Sequence, residues 1–162
     1  MPHLYAARVN DAAKRPPHLD PVSFRSAVLS DVAAIVELWQ LAGVATDTSG
    51  SESEQDRIEI HTRLQRDEDL FVVAEDDEKL VATVMGCYDG HRGWIKRFAV
   101  HPDRRRSGLG RLLTAELERR FVEAGITELR LSAWRSNELA LDFWNAMGFD
   151  EIDIAYFTKS LR

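Results

Sequence analysis

The chain has 162 residues, which suits one domain with a real core. Its 27 Asp and Glu outnumber 21 Lys and Arg, a net charge of -6 that argues against nucleic-acid binding and tolerates a cationic partner. Cys87 is the single cysteine, so an intramolecular disulfide is excluded; the histidines lack zinc-site spacing, no run of about 18 apolar residues spans a membrane, and a cytoplasmic protein without metal is expected.

Residues 1–21 carry Pro16, Pro17 and Pro21 and read as a flexible extension ahead of one domain over 22–162. Val22 to Val28 reads as a strand. Ser30 is then the expected cap of a helix from Asp31 to Ala42, with Val32, Ile35, Val36 and Trp39 on its buried face and Gly43 as its stop. Thr46 to Ser53 is small, polar and acidic, hence a loop. A helix over about Glu54 to Arg66 follows, with Ile58, His61 and Leu64 on one side. Leu70–Ala74, Leu80–Tyr88 and Trp94–Val100 are apolar runs separated by turn-forming residues, an antiparallel meander.

After Val100 comes His101-Pro102-Asp103-Arg104-Arg105-Arg106-Ser107-Gly108-Leu109-Gly110-Arg111, and then a helical stripe of Leu109, Leu112, Leu113, Leu117 and Phe121 ending at Gly125. Glu128 to Ala133 alternates as a strand. Ser136 is the expected cap of a last helix carrying Leu139, Ala140, Phe143, Trp144 and Met147, closed by Gly148. Ile152, Ile154 and Tyr156 alternate as a final strand. Meander strands followed by strand–helix–strand crossovers predict a single-domain α/β fold: a mixed, mostly antiparallel sheet with helices on both faces.

The strand-to-helix junction is the chemically informative stretch. Helix N-termini present unpaired N–H groups and partial positive charge, and glycines let a ligand approach that backbone, so an anion site is expected here. The P-loop pattern is absent. The dinucleotide fingerprint fails as well, because its third glycine would fall on Leu113. What remains, Arg105-x-x-Gly108-x-Gly110, resembles the (Gln/Arg)-x-x-Gly-x-(Gly/Ala) signature of the GNAT superfamily of acetyl-CoA-dependent N-acetyltransferases. The run Asn137-x-x-Ala140-x-x-x-Trp144-x-x-x-Gly148-Phe149 is similar to that family's Asn-x-x-Ala-x-x-x-Tyr-x-x-x-Gly-Phe helix. Val84-Met85-Gly86 and Tyr88 to Gly93 resemble its YpeA-like branch of small bacterial enzymes.

The resemblance implies acetyl-CoA as cosubstrate and a primary amine, small-molecule or peptide, as acceptor. It implies that the backbone of Phe98, Ala99 and Val100 pairs with the pantetheine amides. It further implies that Arg105, Arg106, Ser107, Gly108, Leu109, Gly110 and Arg111 wrap the pyrophosphate, and that Asn137 bonds the pantetheine end. Asn137 also reads as a plain helix-start residue.

Two family catalytic positions are altered. The tyrosine that protonates the leaving thiolate is Trp144, whose indole is no proton-transfer acid near neutral pH. The glutamate base of the branch that acetylates ribosomal-protein N-termini is Ser132. Proton transfer then runs through water with Ser132 or Tyr88 as relay, or uses Asp89, His91, Asp47, Glu52 or Glu54. The rival reading is an acyl-CoA-binding sensor or partner subunit with little transferase activity. The acidic Thr46–Ser53 loop suggests an acceptor held as a cation. A homodimer is left open.

Overall fold

The computed structural model describes residues 22–44 and 52–161. The expected N-terminal extension, most of the Thr46–Ser53 loop and Asp47 lie outside the described residues. Five strands, β1 (Ser23–Ser26), β2 (Phe71–Asp76), β3 (Lys79–Tyr88), β4 (Gly93–Val100) and β5 (Leu129–Arg130), form one sheet in chain order. All neighbours are antiparallel except β4 and β5, which run parallel. Helices α1 (Val32–Ala42) and α2 (Glu52–Arg66) cover one face. Helices α3 (Leu109–Glu123) and α4 (Glu138–Ala146) cover the other, as the element order predicts.

The strands sort their side chains by the two-residue alternation of the pleat. Phe71, Val73, Met85 and Ala99 pack with Ile35 and Trp39 of α1 and Ile60 of α2. Val72, Ala74, Val84 and Ile95 pack with Leu113, Leu117 and Phe121 of α3. Thr83 is fully buried, and its Oγ accepts the Trp39 indole N–H at 2.9 Å. The β2–β3 hairpin turns through Asp77 and Glu78, both at positive φ (46° and 62°), the twist that a two-residue hairpin needs.

Several expected details differ. Ser30 does not cap α1. A 3₁₀ turn, Leu29–Asp31, precedes the helix, and Asp31 accepts the Val28 N–H at 2.8 Å while pairing with Arg25. Burial works against the Asp31 charge, but the Arg25 and Val28 hydrogen bonds outweigh it and hold the carboxyl below its ordinary range. The inward face of α2 is Asp56, Ile60 and Leu64 rather than Ile58, His61 and Leu64, because Asp56 is drawn inside by an arginine. Leu112 and Leu139 sit off their helices' buried stripes, and Asn137 rather than Ser136 caps α4.

The strand expected over Glu128–Ala133 shortens to Leu129–Arg130, and the expected final strand is absent. Ile152, Ile154 and Tyr156 alternate as a strand would, yet all three are exposed. Alternation specifies a face only where a neighbour supplies a ladder, and a two-residue β5 offers almost none.

Gly86 is a tight point of the α3 face. A Cβ there would lie 2.9 Å from Leu117 Cδ1, Leu70 O and Phe121 Cζ. Gly86→Ala is expected to cost about 1–3 kcal/mol by overpacking. Urea unfolding should show a lower midpoint with an unchanged slope.

Candidate active site

The β4–α3 junction is built from the chain outward. His101 Nδ1 accepts the Asp103 N–H at 3.2 Å and starts a 3₁₀ turn over Pro102–Arg104. The Ser107 hydroxyl donates to Arg104 O at 2.6 Å, and Arg104 pairs with Asp76 at the end of β2. Arg106 (φ 60°) and Gly108 (φ 88°) adopt the left-handed conformation on either side of Ser107. Gly108 is the N-cap of α3, and a side chain placed there would meet nothing within 4 Å. The opening is therefore solvent-facing backbone. The N–H groups of Leu109, Gly110 and Arg111 are those a helix cannot pair with its own carbonyls. Gly110 has a different reason for lacking a side chain, since its Cβ would approach Phe143 Cε2 to 3.2 Å.

The three consecutive arginines have separate tasks. Arg104 is tied to Asp76. Arg105 Nη2 donates to Ala42 O at 2.9 Å and so latches the junction to the end of α1. Arg106, like Arg111, is exposed and makes no hydrogen bond or ion pair to a described residue. Both remain available to an anion at the helix start.

Upstream, β4 carries a bulge. Met85 faces Lys96 and Thr83 faces Ala99, so two steps along β3 match three along β4. The extra residue is absorbed at Arg97, at φ 50°. The Arg97 side chain holds this conformation. Its guanidinium donates to Glu59 at 2.6 Å, to Asp56 at 3.1 Å and to Val44 O at 2.7 Å, and lies 4.8 Å from the Trp39 ring centroid. Beyond the bulge the His101 N–H bonds back to Val81 O on β3. By alternation the backbone groups of Phe98 and Val100 face the opposite edge. There β5 pairs only with Gly93 and Trp94, so the edge of β4 past Trp94 has no partner strand among the described residues. Phe98, Ala99 and Val100 thus border a free sheet edge that ends at the anion-ready helix start.

A cleft of about 320 Å³ lies at the other end of β4. It brings together Ser132, Tyr88 and Asp89 with Cys87, Trp94 and Lys96. Asp89 accepts the Trp94 indole N–H at 2.6 Å and the backbone N–H groups of His91 and Arg92 at 2.8 and 2.7 Å. The Arg92 N–H bond leads these in lowering its pKa to about 2, so this carboxylate is a weak base. Cys87 is buried, and burial raises its thiol pKa, as befits a small core residue. His91 lies outside the cleft lining.

Trp144 is elsewhere. Its ring packs against Phe98, Phe143 and Phe149 at centroid distances of 5.0, 4.9 and 5.3 Å and is almost fully buried. Asn137 Oδ1 accepts the Ala140 N–H at 3.1 Å, while its amide NH2 donates to no described residue. The plain helix-start role is thus fulfilled, with two donors to spare.

Sequence reasoning missed the Arg97 cluster and the basic lining of the cleft. Arg63 and Arg66 lie three residues apart in the last turn of α2, a spacing that puts both on one side of the helix.

The geometry has counterparts in known proteins. Residues 33–149 match the model of the acetyltransferase (GNAT) family. An acetyltransferase of Pectobacterium atrosepticum is 30% identical over 131 residues, 81% of this chain and 89% of the relative. Among solved structures, AAC(6')-Iy bound to the bisubstrate analogue CoA-S-monomethyl-acetylneamine superposes with a TM-score of 0.72 at 17% identity, covering 88% of this chain and all of that one. The ribosomal-protein-S18-alanine N-acetyltransferase of Escherichia coli gives 0.67 at 22% identity, covering 82% and 79%.

Arg97 is nearly buried and shared by two carboxylates. Arg97→Met is expected to cost about 3–5 kcal/mol, because Asp56 and Glu59 lose their shared cation while staying in place. Arg97→Lys should recover only part, since a point charge cannot reproduce the guanidinium fork. Thermal or urea unfolding of both variants checks this.

Proposed function

The chain belongs to the GNAT acetyltransferase family, and on that premise we propose that it transfers the acetyl group of acetyl-CoA to a primary amine by direct attack. The observation that carries the cosubstrate site is that the edge of Phe98–Val100, which has no partner strand among the described residues, leads along the chain to the open backbone at Gly108. Such a path suits a long ligand with amides along its arm and a pyrophosphate at its end. The outward-facing backbone groups of Phe98 and Val100 pair with the arm, and Ala99 between them is held to β3. The N–H groups from Arg106 to Arg111, with the Arg106 and Arg111 side chains, take the pyrophosphate. The spare donors of Asn137 serve the arm, and Arg105 acts indirectly by holding the loop to α1.

Acetyl-CoA supplies an activated thioester. The acceptor nitrogen forms the new C–N bond as the C–S bond breaks; the nitrogen gives up one proton, and the departing sulfur takes one to leave as the free thiol of CoA. Backbone N–H groups on the unpaired edge of β4 supply donors for the carbonyl oxygen. Ser132, in the cleft, relays the proton through water. Asp89 is too weakly basic to compete for this task. Trp144 serves as a packed wall against Phe98 rather than as an acid. A relay of modest strength suffices, because proton removal contributes about 10²–10⁴-fold and positioning supplies much of the rest.

Calorimetric titration with acetyl-CoA tests the cosubstrate site. Wild type is expected to bind, and Gly108→Glu to lose binding while keeping its circular dichroism, because the substitution projects a carboxylate into open space where the pyrophosphate would sit. Retained affinity in that variant would sink the site. Ser132→Ala is expected to lower kcat by up to about 10²-fold without changing acetyl-CoA affinity. Steady-state kinetics with an accepted amine measures this, and an unchanged kcat would remove Ser132 from the reaction.

A further inference from the structure

The cleft beside Ser132 has a charge that the chain as a whole does not. The protein carries a net charge of -6, yet Arg63, Arg66 and Lys96 all line this one space. Arg63 is answered by Asp67 at 3.0 Å. Arg66 and Lys96 are both exposed and make no hydrogen bond or ion pair to a described residue. The anion in the lining, Asp89, has its oxygens occupied by the Trp94 indole and two backbone N–H groups. The fields of Arg63 and Lys96 reach Cys87 in the same lining, opposed there by those of Asp67 and Glu59. Hydroxyls of Tyr88, Ser132 and Tyr156 complete the polar surface. Two unanswered cations in a concave site, with hydroxyl donors beside them, form a receptor for an anion.

We infer that the acceptor is a small primary amine whose molecule also carries a carboxylate or phosphate, and that Arg66 and Lys96 hold that anionic group. The inference rests on the transferase reading above. The volume of about 320 Å³ is at the lower end for ligand sites and suits a molecule of amino-acid size. A polycation entering this cleft would meet Arg63, Arg66 and Lys96 against a single lining carboxylate, Asp89.

The test uses the full chain and amines of matched size. 4-Aminobutyrate and O-phosphoethanolamine are the anionic probes, 4-aminobutyramide and ethanolamine their neutral counterparts, and spermidine the polycation. Each is measured for turnover with acetyl-CoA and, separately, for calorimetric binding to the CoA-saturated protein. The anionic probes are expected to be preferred about tenfold or more over their neutral partners. One of the two leading, carboxylate or phosphate, identifies the anionic group. Lys96→Met and Arg66→Gln are each expected to raise the KM and Kd of the anionic probe about tenfold, with acetyl-CoA affinity unchanged. Neither variant should change the KM of the neutral partners, a selectivity that mere loosening of the fold would not produce. Equal or weaker binding and turnover of the anionic probes, or variants that match wild type, would overturn the substrate class while leaving the transferase intact. Failure of wild type to bind acetyl-CoA would instead remove the transferase reading, and this one with it.

Discussion

Arg97 is the residue on which both halves of the site depend. Left-handed backbone costs a side-chain-bearing residue about 1–2 kcal/mol, and here the cost is met by a guanidinium shared among Glu59, Asp56, Val44 O and the Trp39 ring. Those contacts fasten α1 and α2 to the middle of β4. The bulge also changes the alternation of the strand. Before it, Lys96 lines the cleft; after it, Phe98 packs toward α4 and Ala99 toward α1. A regular strand would not present these side chains in that order. The strain at one residue is thus part of how one strand reaches both the cleft and the α3 junction.

The short β5 completes this arrangement by what it does not cover. A parallel neighbour that paired along all of β4 would occupy the backbone groups of Phe98 and Val100. Pairing stops at Trp94 and Arg130, and the remaining edge, which has no partner strand among the described residues, is where the proposed cosubstrate arm would lie. The edge is short, flanked by the arginine-rich junction, and therefore poorly suited to pairing with another chain.

The two ends of β4 are both cationic in an acidic protein, but by different means. At the α3 end the charge is largely backbone, from helix N–H groups and a left-handed loop, with Arg106 and Arg111 added at the surface. In the cleft it is side chain, from Arg66 and Lys96. A helix terminus favours an anion at a fixed place, which suits a constant pyrophosphate. Long side chains adapt to the ligand, which suits an acceptor that differs between enzymes.

Much of the fold was legible because its signals are local. The apolar runs of β2 to β4, the α1 stripe, and the glycines that end helices are properties of short windows, and so is the Arg105-x-x-Gly108-x-Gly110 junction. The final strand was misread because alternation in Ile152–Tyr156 needs a neighbouring edge that residues 152–156 cannot specify. The inward face of α2 was misread because Asp56 counts as polar until Arg97, 41 residues away, gives it a partner. Most of the elements, the core of the sheet and the glycine-rich junction after β4 follow from propensity, periodicity and glycine within a few residues, and so can be read from the chain alone. Only the tertiary structure decided which arginines are spent on structure and which stay free, that Trp144 is walled in by Phe98, Phe143 and Phe149, and that Arg66, Lys96 and Ser132 share one cleft. Those are relations between distant segments, and a side chain's charge, burial and partners exist only once the segments have met.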